Sequence, residues 1–396
     1  MINVVGGTYR EINFDDVSME IFGSGFRCAK FLLENKSSVN FITSGNAEVV
    51  KVLKENQKVY PKLKFECHPY DELITFQYSF ALDDPSIFPS LLNIKKTKDW
   101  EFVGDDLIAF GMLESDYEID CKRVVYDPQT SIKPKRFSEL GKAQELVYII
   151  NRNEAHSISS SQDIEEIKKY FFKEENVKAF IIKNGPHGAT LYTKSDEHHI
   201  PCYITNNVYK IGSGDIFTAS FGYYWMSKNL SLEESALFAS KSTAVYCDKK
   251  AYIDCTNNFK FEYKEFKARN LSKKQVYLAS PFFTLSELIL VDKIRDALLS
   301  FGVNVFSPFH DIGLGEAISI AKKDIEGIEN SDVIFAVLDN LDSGTLIESG
   351  FSMAIGKTII GYHRTCDDNK LLMLKPGNFT TNSNLTAALY QTIWSL

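Results

Sequence analysis

No apolar run in this chain approaches the roughly 20 residues that span a bilayer, so no membrane partner is expected. Positive charge is in deficit: 44 Lys and Arg stand against 52 Asp and Glu, a formal charge of −8. Binding to nucleic acid or an acidic membrane surface needs a basic face, so neither is expected. The start, Met1-Ile-Asn-Val-Val-Gly-Gly, lacks the basic residues and long apolar stretch of a secretory leader. Seven cysteines form no CxxC pair and are odd in number. Reduced thiols in the cytoplasm fit this better than a disulfide framework or a zinc site. Neither GxGxxG nor GxxxxGK[ST] occurs, which disfavours a Rossmann dinucleotide site and a Walker-type ATPase. His198-His199 has no third ligand at usable spacing and reads as an exposed loop, not a metal site.

What is present is an α/β rhythm that runs through the chain and restarts once. At 396 residues the length suits two domains. Strands are expected at Ile2–Val5, Val39–Ile42, Leu107–Gly111, Arg123–Tyr126, Leu146–Ile150, Ala179–Ile182 and Ala189–Tyr192, with helical spacing at Arg27–Glu34. A helix should open at Gly212 and reach about Met226, followed by another over Leu232–Val245. The charged stretch 258–274 has no sustained apolar period and reads as a linker. Beyond it the pattern predicts strand Val276–Ala279, a helix near Leu285–Leu299, strand Val303–Phe306, a helix near Ala317–Ile328 and strand Val333–Leu338. Domains 1–257 and 275–396 are therefore expected, and no internal repeat is evident.

The first domain's chemistry is expected at Lys210-Ile-Gly-Ser-Gly-Asp-Ile-Phe217. A glycine-rich turn that opens a helix points unpaired N–H groups at one spot, with the positive end of the helix dipole behind them. Gly212, Ser213 and Gly214 would then form an anion hole, and Asp215 could take the proton of an attacking hydroxyl. On spacing alone, a helix N-cap with no catalytic role is an equal reading.

This segment resembles the Gly-Ala-Gly-Asp signature of the ribokinase-like (PfkB) carbohydrate and nucleoside kinases, and the resemblance covers roughly residues 1–255. Further pieces follow in the family's order. Asn151-Arg-Asn-Glu154 matches its Asn-x-x-Glu motif, whose glutamate helps hold magnesium. Lys183-Asn184-Gly185-Pro-His-Gly resembles the turn before the nucleotide-binding loop. Glu11 stands where an acidic residue meets the substrate, Gly23-Ser-Gly25 where a substrate-binding turn lies, and Asp127-Pro128 follows a strand as expected. The resemblance implies a ribokinase-like α/β/α sandwich using ATP and Mg2+. Three departures stand out. Tyr209-Lys210 replaces the Asp-Thr pair that helps bind a monovalent cation, so Lys210 is expected to supply positive charge near a phosphate. Arg27 replaces a common sugar-binding asparagine. Only ten residues separate Glu11 from Phe22, too few for the β-strand lid of the family.

In the second domain, Tyr277-Leu-Ala-Ser-Pro-Phe282-Phe283 ends a strand in aromatics that could stack on a flat base. Downstream, Asp342 and Glu348 flank Gly344-Thr345, with Glu348 expected near a helix start whose dipole favours a carboxylate. Cleaving an N-glycosidic bond builds positive charge on the sugar, which one carboxylate can stabilise or attack while a second acid serves the leaving base. Two capping acids are the structural alternative.

Residues 275–365 resemble nucleoside 2-deoxyribosyltransferases and related nucleotide N-glycosidases, through Tyr277 to Phe283, Pro308, Asp324, Ser331-Asp-Val, Asp342 to Gly350 and Ala354 to Tyr362. The resemblance implies a smaller flavodoxin-like doubly wound domain. It makes Glu348 the nucleophile, Asp324 the residue acting at the base or as acid, Tyr277 the group positioning Glu348, and Asp342 the ligand of the sugar's 5′ end. His310 lies close to the expected ligand, with a loop-capping role as the alternative. The family completes its site from a neighbouring subunit, so a homo-oligomer is expected, with Asn369 or Asn378 in that part. Asp342 opposes a 5′-phosphate, since two like charges about 4 Å apart at an effective dielectric of about 20 repel by about 4 kcal/mol. Arg364 would weaken that argument if it neutralised the site.

Taken together, the residues predict a bifunctional nucleoside-salvage enzyme: an ATP-dependent kinase joined to a nucleoside deoxyribosyltransferase or N-glycosidase. The alternatives are a 5′-nucleotide N-glycosidase as the second activity, or a degenerate kinase domain serving as a regulatory or oligomerisation module.

Overall fold

The computed structural model describes residues 1–97, 100–130, 133–256, 259–267, 270–313 and 317–396, without the side chains of 317–320 and 368. It divides into two compact units. The first is Met1–Ser79, Asp84–Thr205 and Tyr209–Glu265; the second is Phe80–Asp83, Asn206–Val208 and Phe266–Leu396. Within the stretch read as a linker, residues 258, 268 and 269 lie outside the described residues. Part of the rest packs on the first unit: the Phe261 ring lies 4.6 Å from that of Tyr203, and the Lys264 carbonyl accepts from Ile204 N–H.

The strands of the first unit are β1 (Ile2–Val5), β2 (Arg10–Asn13), β3 (Ser18–Ile21), β4 (Val39–Gly45), β5 (Leu63–Pro69), β6 (Thr75–Tyr78), β7 (Ser86–Phe88), β8 (Trp100–Phe110), β9 (Tyr117–Asp127), β10 (Gly141–Asn151), β11 (Ala179–Lys183), β12 (Ala189–Thr193) and β13 (Glu197–Ile200). Its helices are α1 (Gly23–Glu34), α2 (Ala47–Val59), α3 (Arg152–Ser159), α4 (Ile164–Lys173), α5 (Ser213–Gly222) and α6 (Leu232–Lys249). A nine-stranded sheet runs β13-β12-β11-β10-β9-β8-β1-β4-β5 and is parallel except where β12 pairs with β11 and β13. One face buries Phe31 and Leu32 of α1, Val49 and Leu53 of α2, Phe221 of α5 and Ala236 of α6. The other buries Ala155 and Ile158 of α3 with Ile167 and Phe171 of α4. The result is the expected α/β/α sandwich. As expected, a helix starts just after Gly212; it continues beyond α5 as a π-turn over Tyr223–Ser227.

Parallel sheets bind ligands beyond the carboxyl ends of their strands, where the winding direction switches. In this sheet the switch lies between β1 and β8, because the chain moves outward through β4 and β5 before returning to β8. Close approach at the end of β1 requires glycine: a β-carbon on Gly25 of α1 would lie 2.5 Å from the carbonyl carbon of Gly6.

The expectation that the lid is missing does not hold. The ten residues between Glu11 and Phe22 make a hairpin, β2 with β3, and β6 and β7 extend it into a separate four-stranded sheet ordered β3-β2-β6-β7. The additional strands come from residues 75–88, not from the Glu11–Phe22 interval.

The second unit contains β14 (Gln275–Ala279), β15 (Asn304–Phe306), β16 (Val333–Val337), β17 (Thr358–Tyr362) and β18 (Phe379–Asn382), with helices α7 (Leu285–Ser300), α8 (Pro308–Asp311), α9 (Ala317–Asn330), α10 (Ser343–Ala354) and α11 (Leu385–Trp394). All pairs are parallel and the order is β15-β14-β16-β17-β18. Numbered within the unit this is 2-1-3-4-5, the flavodoxin-like winding, with its switch point between β14 and β16. Among the described residues no helix is long and apolar enough to cross a membrane.

Candidate active sites

In the first unit the glycine-rich turn is built by Gly212, which holds φ +77°, a conformation that costs a residue with a β-carbon. Ser213 N–H is committed to the Lys210 carbonyl at 3.0 Å, and the first helical bond of α5 is Ile216 N–H to Gly212 O. The amides of Gly214 and Asp215 lie between them at the helix start, where N–H groups lack intrahelical partners. Three basic side chains converge on this turn. Lys210 Nζ donates to Ser213 Oγ at 2.9 Å. A β-carbon on Gly214 would lie 3.4 Å from Lys183 Nζ, and one on Gly212 would lie 2.2 Å from Arg27 Nε. Burial holds the Lys210 amine below its usual range.

Asp215 is buried and doubly engaged. Arg27 donates to Oδ2 at 2.6 Å and Gln129 Nε2 to Oδ1 at 3.2 Å. The same guanidinium donates to Glu11, whose other oxygen accepts from Gly23 N–H at 3.2 Å. Burial pushes the Asp215 carboxyl up, Arg27 pulls it down, and Glu11 and Asp127 push it up again, leaving it above its usual value. Gln129 was not singled out from the sequence; its signal is its position two residues past β9, at the carboxyl edge of the sheet.

Beside this cluster, Asp127 Oδ2 accepts from Lys183 Nζ at 2.8 Å and from Thr218 Oγ1 at 2.9 Å. Asn151 and Glu154 satisfy one another as a capping box at the start of α3. Burial and the nearby Asp127 raise Glu154 to about 7. Among the described residues no group of three or more His, Cys, Asp or Glu side chains gathers as a metal cage. A magnesium ion keeps several waters and is shared with phosphate oxygens, needing only one or two carboxylates. Asp127 and Glu154 fit that donor set. Asn184 and Gly185 lie in a tight turn closed by Asn184 N–H to Gly188 O at 2.7 Å, with Arg152 reaching Asn184 Oδ1 at 3.4 Å.

In the second unit, Tyr277 lies on β14, fully buried, and stacks on Phe306. Its hydroxyl donates to Glu348 Oε1 at 3.0 Å. Asp342 is the N-cap of α10: its Oδ2 accepts from Thr345 N–H at 2.9 Å and from Thr345 Oγ1 at 3.2 Å, and a β-carbon on Gly344 would lie 3.0 Å from it. Glu348 therefore sits in the second turn of the helix rather than at its start, and the expected benefit from the dipole does not govern it. Burial raises its carboxyl to about 7; Tyr277 lowers it, while Asp324 and Asp342 raise it. Asp324, on α9, is pushed up by burial, and its Oδ1 is buried without a hydrogen-bond partner.

Phe282 packs between Phe283 and Phe309 at centroid distances of 5.2 and 5.6 Å, beyond the ends of β14 and β15. Phe309 escaped the sequence reading because it follows Pro308 in a short helix with no apolar period. His310 is tied on both ring nitrogens, to Ser307 Oγ at 3.1 Å and Asp292 Oδ1 at 3.0 Å, the loop-capping arrangement.

Two segments of the chain match known families. Residues 102–258 match the pfkB family of carbohydrate kinases and residues 276–383 the nucleoside 2-deoxyribosyltransferases. Structural neighbours are ribokinase-family kinases. The ribokinase of Thermotoga maritima aligns with TM-score 0.46 and 17% identity, covering 64% of this chain and 94% of that one. A fructokinase from Vibrio cholerae O395, solved with fructose, ADP and calcium, aligns with TM-score 0.46 and 12% identity over 64% of this chain and 94% of that one. An uncharacterized protein of Ureaplasma parvum serovar 3 is 29% identical over 104 residues, 22% of this chain; the match spans 66% of that relative's length. The chain thus carries one segment that matches the pfkB carbohydrate kinase family model and a second that matches the nucleoside 2-deoxyribosyltransferase family model.

Proposed function

We propose that this chain is a bifunctional enzyme of nucleoside salvage, in which the second unit breaks the N-glycosidic bond of an unphosphorylated 2′-deoxynucleoside and the first phosphorylates a sugar or nucleoside hydroxyl. The observation that carries the reading is the Tyr277 hydroxyl on Glu348 Oε1 at 3.0 Å, with a second raised carboxyl, Asp324, acting on the same group. Glu348 attacks the anomeric carbon, forming a C–O bond as the bond to the base nitrogen breaks. Asp324 supplies the proton that the departing base takes up. Water or a second base then displaces Glu348. Phe282 and Phe283 offer faces for the base. Asp342 disfavours a phosphorylated 5′ end and so the 5′-nucleotide alternative. In the first unit, a substrate hydroxyl bonds the terminal phosphorus of ATP, the bond from that phosphorus to ADP breaks, and Asp215 takes the hydroxyl proton. Bound magnesium would neutralise phosphate charge, with Asp127 and Glu154 holding it. The Gly214 and Asp215 amides, Lys210 and the turn at Asn184-Gly185 receive the phosphates.

The protein is proposed to act in the cytoplasm as a homo-oligomer; Phe283, Leu285, Ile347 and Met373 of the second unit are exposed apolar residues suited to a subunit contact. A second reading for the first unit, a ligand-binding module without turnover, is favoured by the double engagement of Asp215. Measurable phosphoryl transfer that Asp215→Asn abolishes excludes it. For the second unit, Glu348→Ala is expected to end base release while ATP binding persists. Base release at the wild-type rate in that variant refutes the assignment.

A further inference from the structure

A cavity of about 180 Å3 opens beside the Arg27–Asp215 pair in the first unit. Its floor is Arg27, whose side chain is 4% exposed. Lys30 and Lys250 line the same cavity, and among the described residues neither has a carboxylate within ion-pair distance. Aromatic faces hold them instead: Lys30 Nζ lies 5.0 Å from the Phe22 ring centre and 5.9 Å from that of Tyr252, and Lys250 Nζ lies 4.4 Å from that of Tyr209. The cavity also has carboxylates. Glu11 is paired with Arg27 and also accepts from Gly23 N–H, whereas Asp16, which accepts from the Asn13 amide, and Glu20 on β3 both add negative charge to the lining. Two ammonium groups without carboxylate partners and one guanidinium thus face a space the size of a small sugar.

Arg27 also constrains the chemistry. As long as it holds Asp215, the carboxylate is stabilised in its ionised form and its Oδ2 is engaged. A neutral hydroxyl competes poorly for a buried guanidinium against a carboxylate, because charge-assisted bonds are about twice as strong as neutral ones. An anion competes well, and arginine's planar fork suits carboxylate and phosphate alike. Transfer of Arg27 to a ligand anion removes the cation bonded to Asp215 Oδ2 and frees that oxygen to accept from a substrate hydroxyl. We propose that the acceptor taken by the first unit carries an anionic group, a phosphate or a carboxylate, which Arg27 receives in place of Asp215. The inference rests on the kinase reading of this unit and adds to it the chemical class of the acceptor.

The test pairs each neutral ligand with a relative that carries an anionic group: ribose with ribose 5-phosphate, and glucose with glucuronate. Binding to the full chain is measured by calorimetry, and transfer from Mg-ATP is followed separately. The charged member of at least one pair is expected to bind ten-fold or more tightly than its neutral partner, and which pair responds separates phosphate from carboxylate. Arg27→Asn is expected to erase the difference. Should Arg27→Asn unfold, Lys250→Gln at the exposed rim is expected to weaken the charged ligand several-fold with an unchanged melting temperature. Equal or weaker binding of both charged ligands, absence of any binding, or a charge preference that survives Arg27→Asn in folded protein overturns the proposal. Charged ligand bound but never phosphorylated removes the kinase reading and leaves the anion site standing. Turnover of neutral acceptors alone does the reverse.

Discussion

Glu348 is the residue on which opposing influences meet. Burial, Asp324 and Asp342 favour its protonated form, and the Tyr277 hydroxyl favours the carboxylate; the balance lies at about 7. A nucleophile must be ionised, so base release is expected to fall as pH drops through about 7. Two substitutions should move that limb in opposite directions. Tyr277→Phe removes the stabilising donor and shifts the limb to higher pH. It should also slow base release about 10- to 100-fold at neutral pH, from a charge-assisted hydrogen bond worth about 1.5–3 kcal/mol. Asp342→Asn keeps an N-cap of similar quality but removes a negative charge, so the limb moves to lower pH. A pH–rate profile of each variant checks the signs. The residues proposed for this second site could be singled out because they lie in short motifs. Asp215, Glu11 and Arg27 were legible one by one, but their ion pairs were not. Arg27 and Asp215 are 188 positions apart, and no local spacing encodes which side chain will fill the space above a distant turn.

Among the elements, strands that are buried on both faces were easiest to read. In β8, β9 and β10 the apolar ends at Leu107–Phe110, Val124–Tyr126 and Leu146–Ile150 stand out. Their first halves alternate buried or half-buried with exposed residues, a pattern of one covered face, and run six or more residues further back than the apolar runs in β8 and β9. The four-stranded sheet was missed because Arg-Glu-Ile-Asn and Ser-Met-Glu-Ile are short, polar and mostly half-exposed. Such strands are held by pairing rather than by burial. The junction of β1 and α1 depends on sterics that a sequence shows only as glycine. Gly25→Ala would drive a β-carbon to 2.5 Å from Gly6 backbone, which cannot yield as a side chain can. It is expected to destabilise the first unit by about 1–3 kcal/mol, read as a lowered denaturation midpoint, whereas Gly350→Ala, with open space at that position, should not.

Across the whole molecule, two sheets of different winding carry two sites, each at the switch point of its own sheet. The restart of the α/β rhythm after the charged stretch made this division visible in the sequence, because each sheet needs its own complete set of buried strands. Under the proposed function, one unit would liberate a base and leave an uncharged sugar, and the other would phosphorylate a small anionic acceptor in its own cavity, so the two substrates are distinct. The most direct test is mass spectrometry of products from unphosphorylated 2′-deoxynucleosides incubated with the full chain, with and without Mg-ATP. Free base, or exchanged base when a second base is supplied, is expected without Mg-ATP and from the nucleoside itself. Base release that requires Mg-ATP, or that occurs from 5′-phosphates alone, would contradict the account.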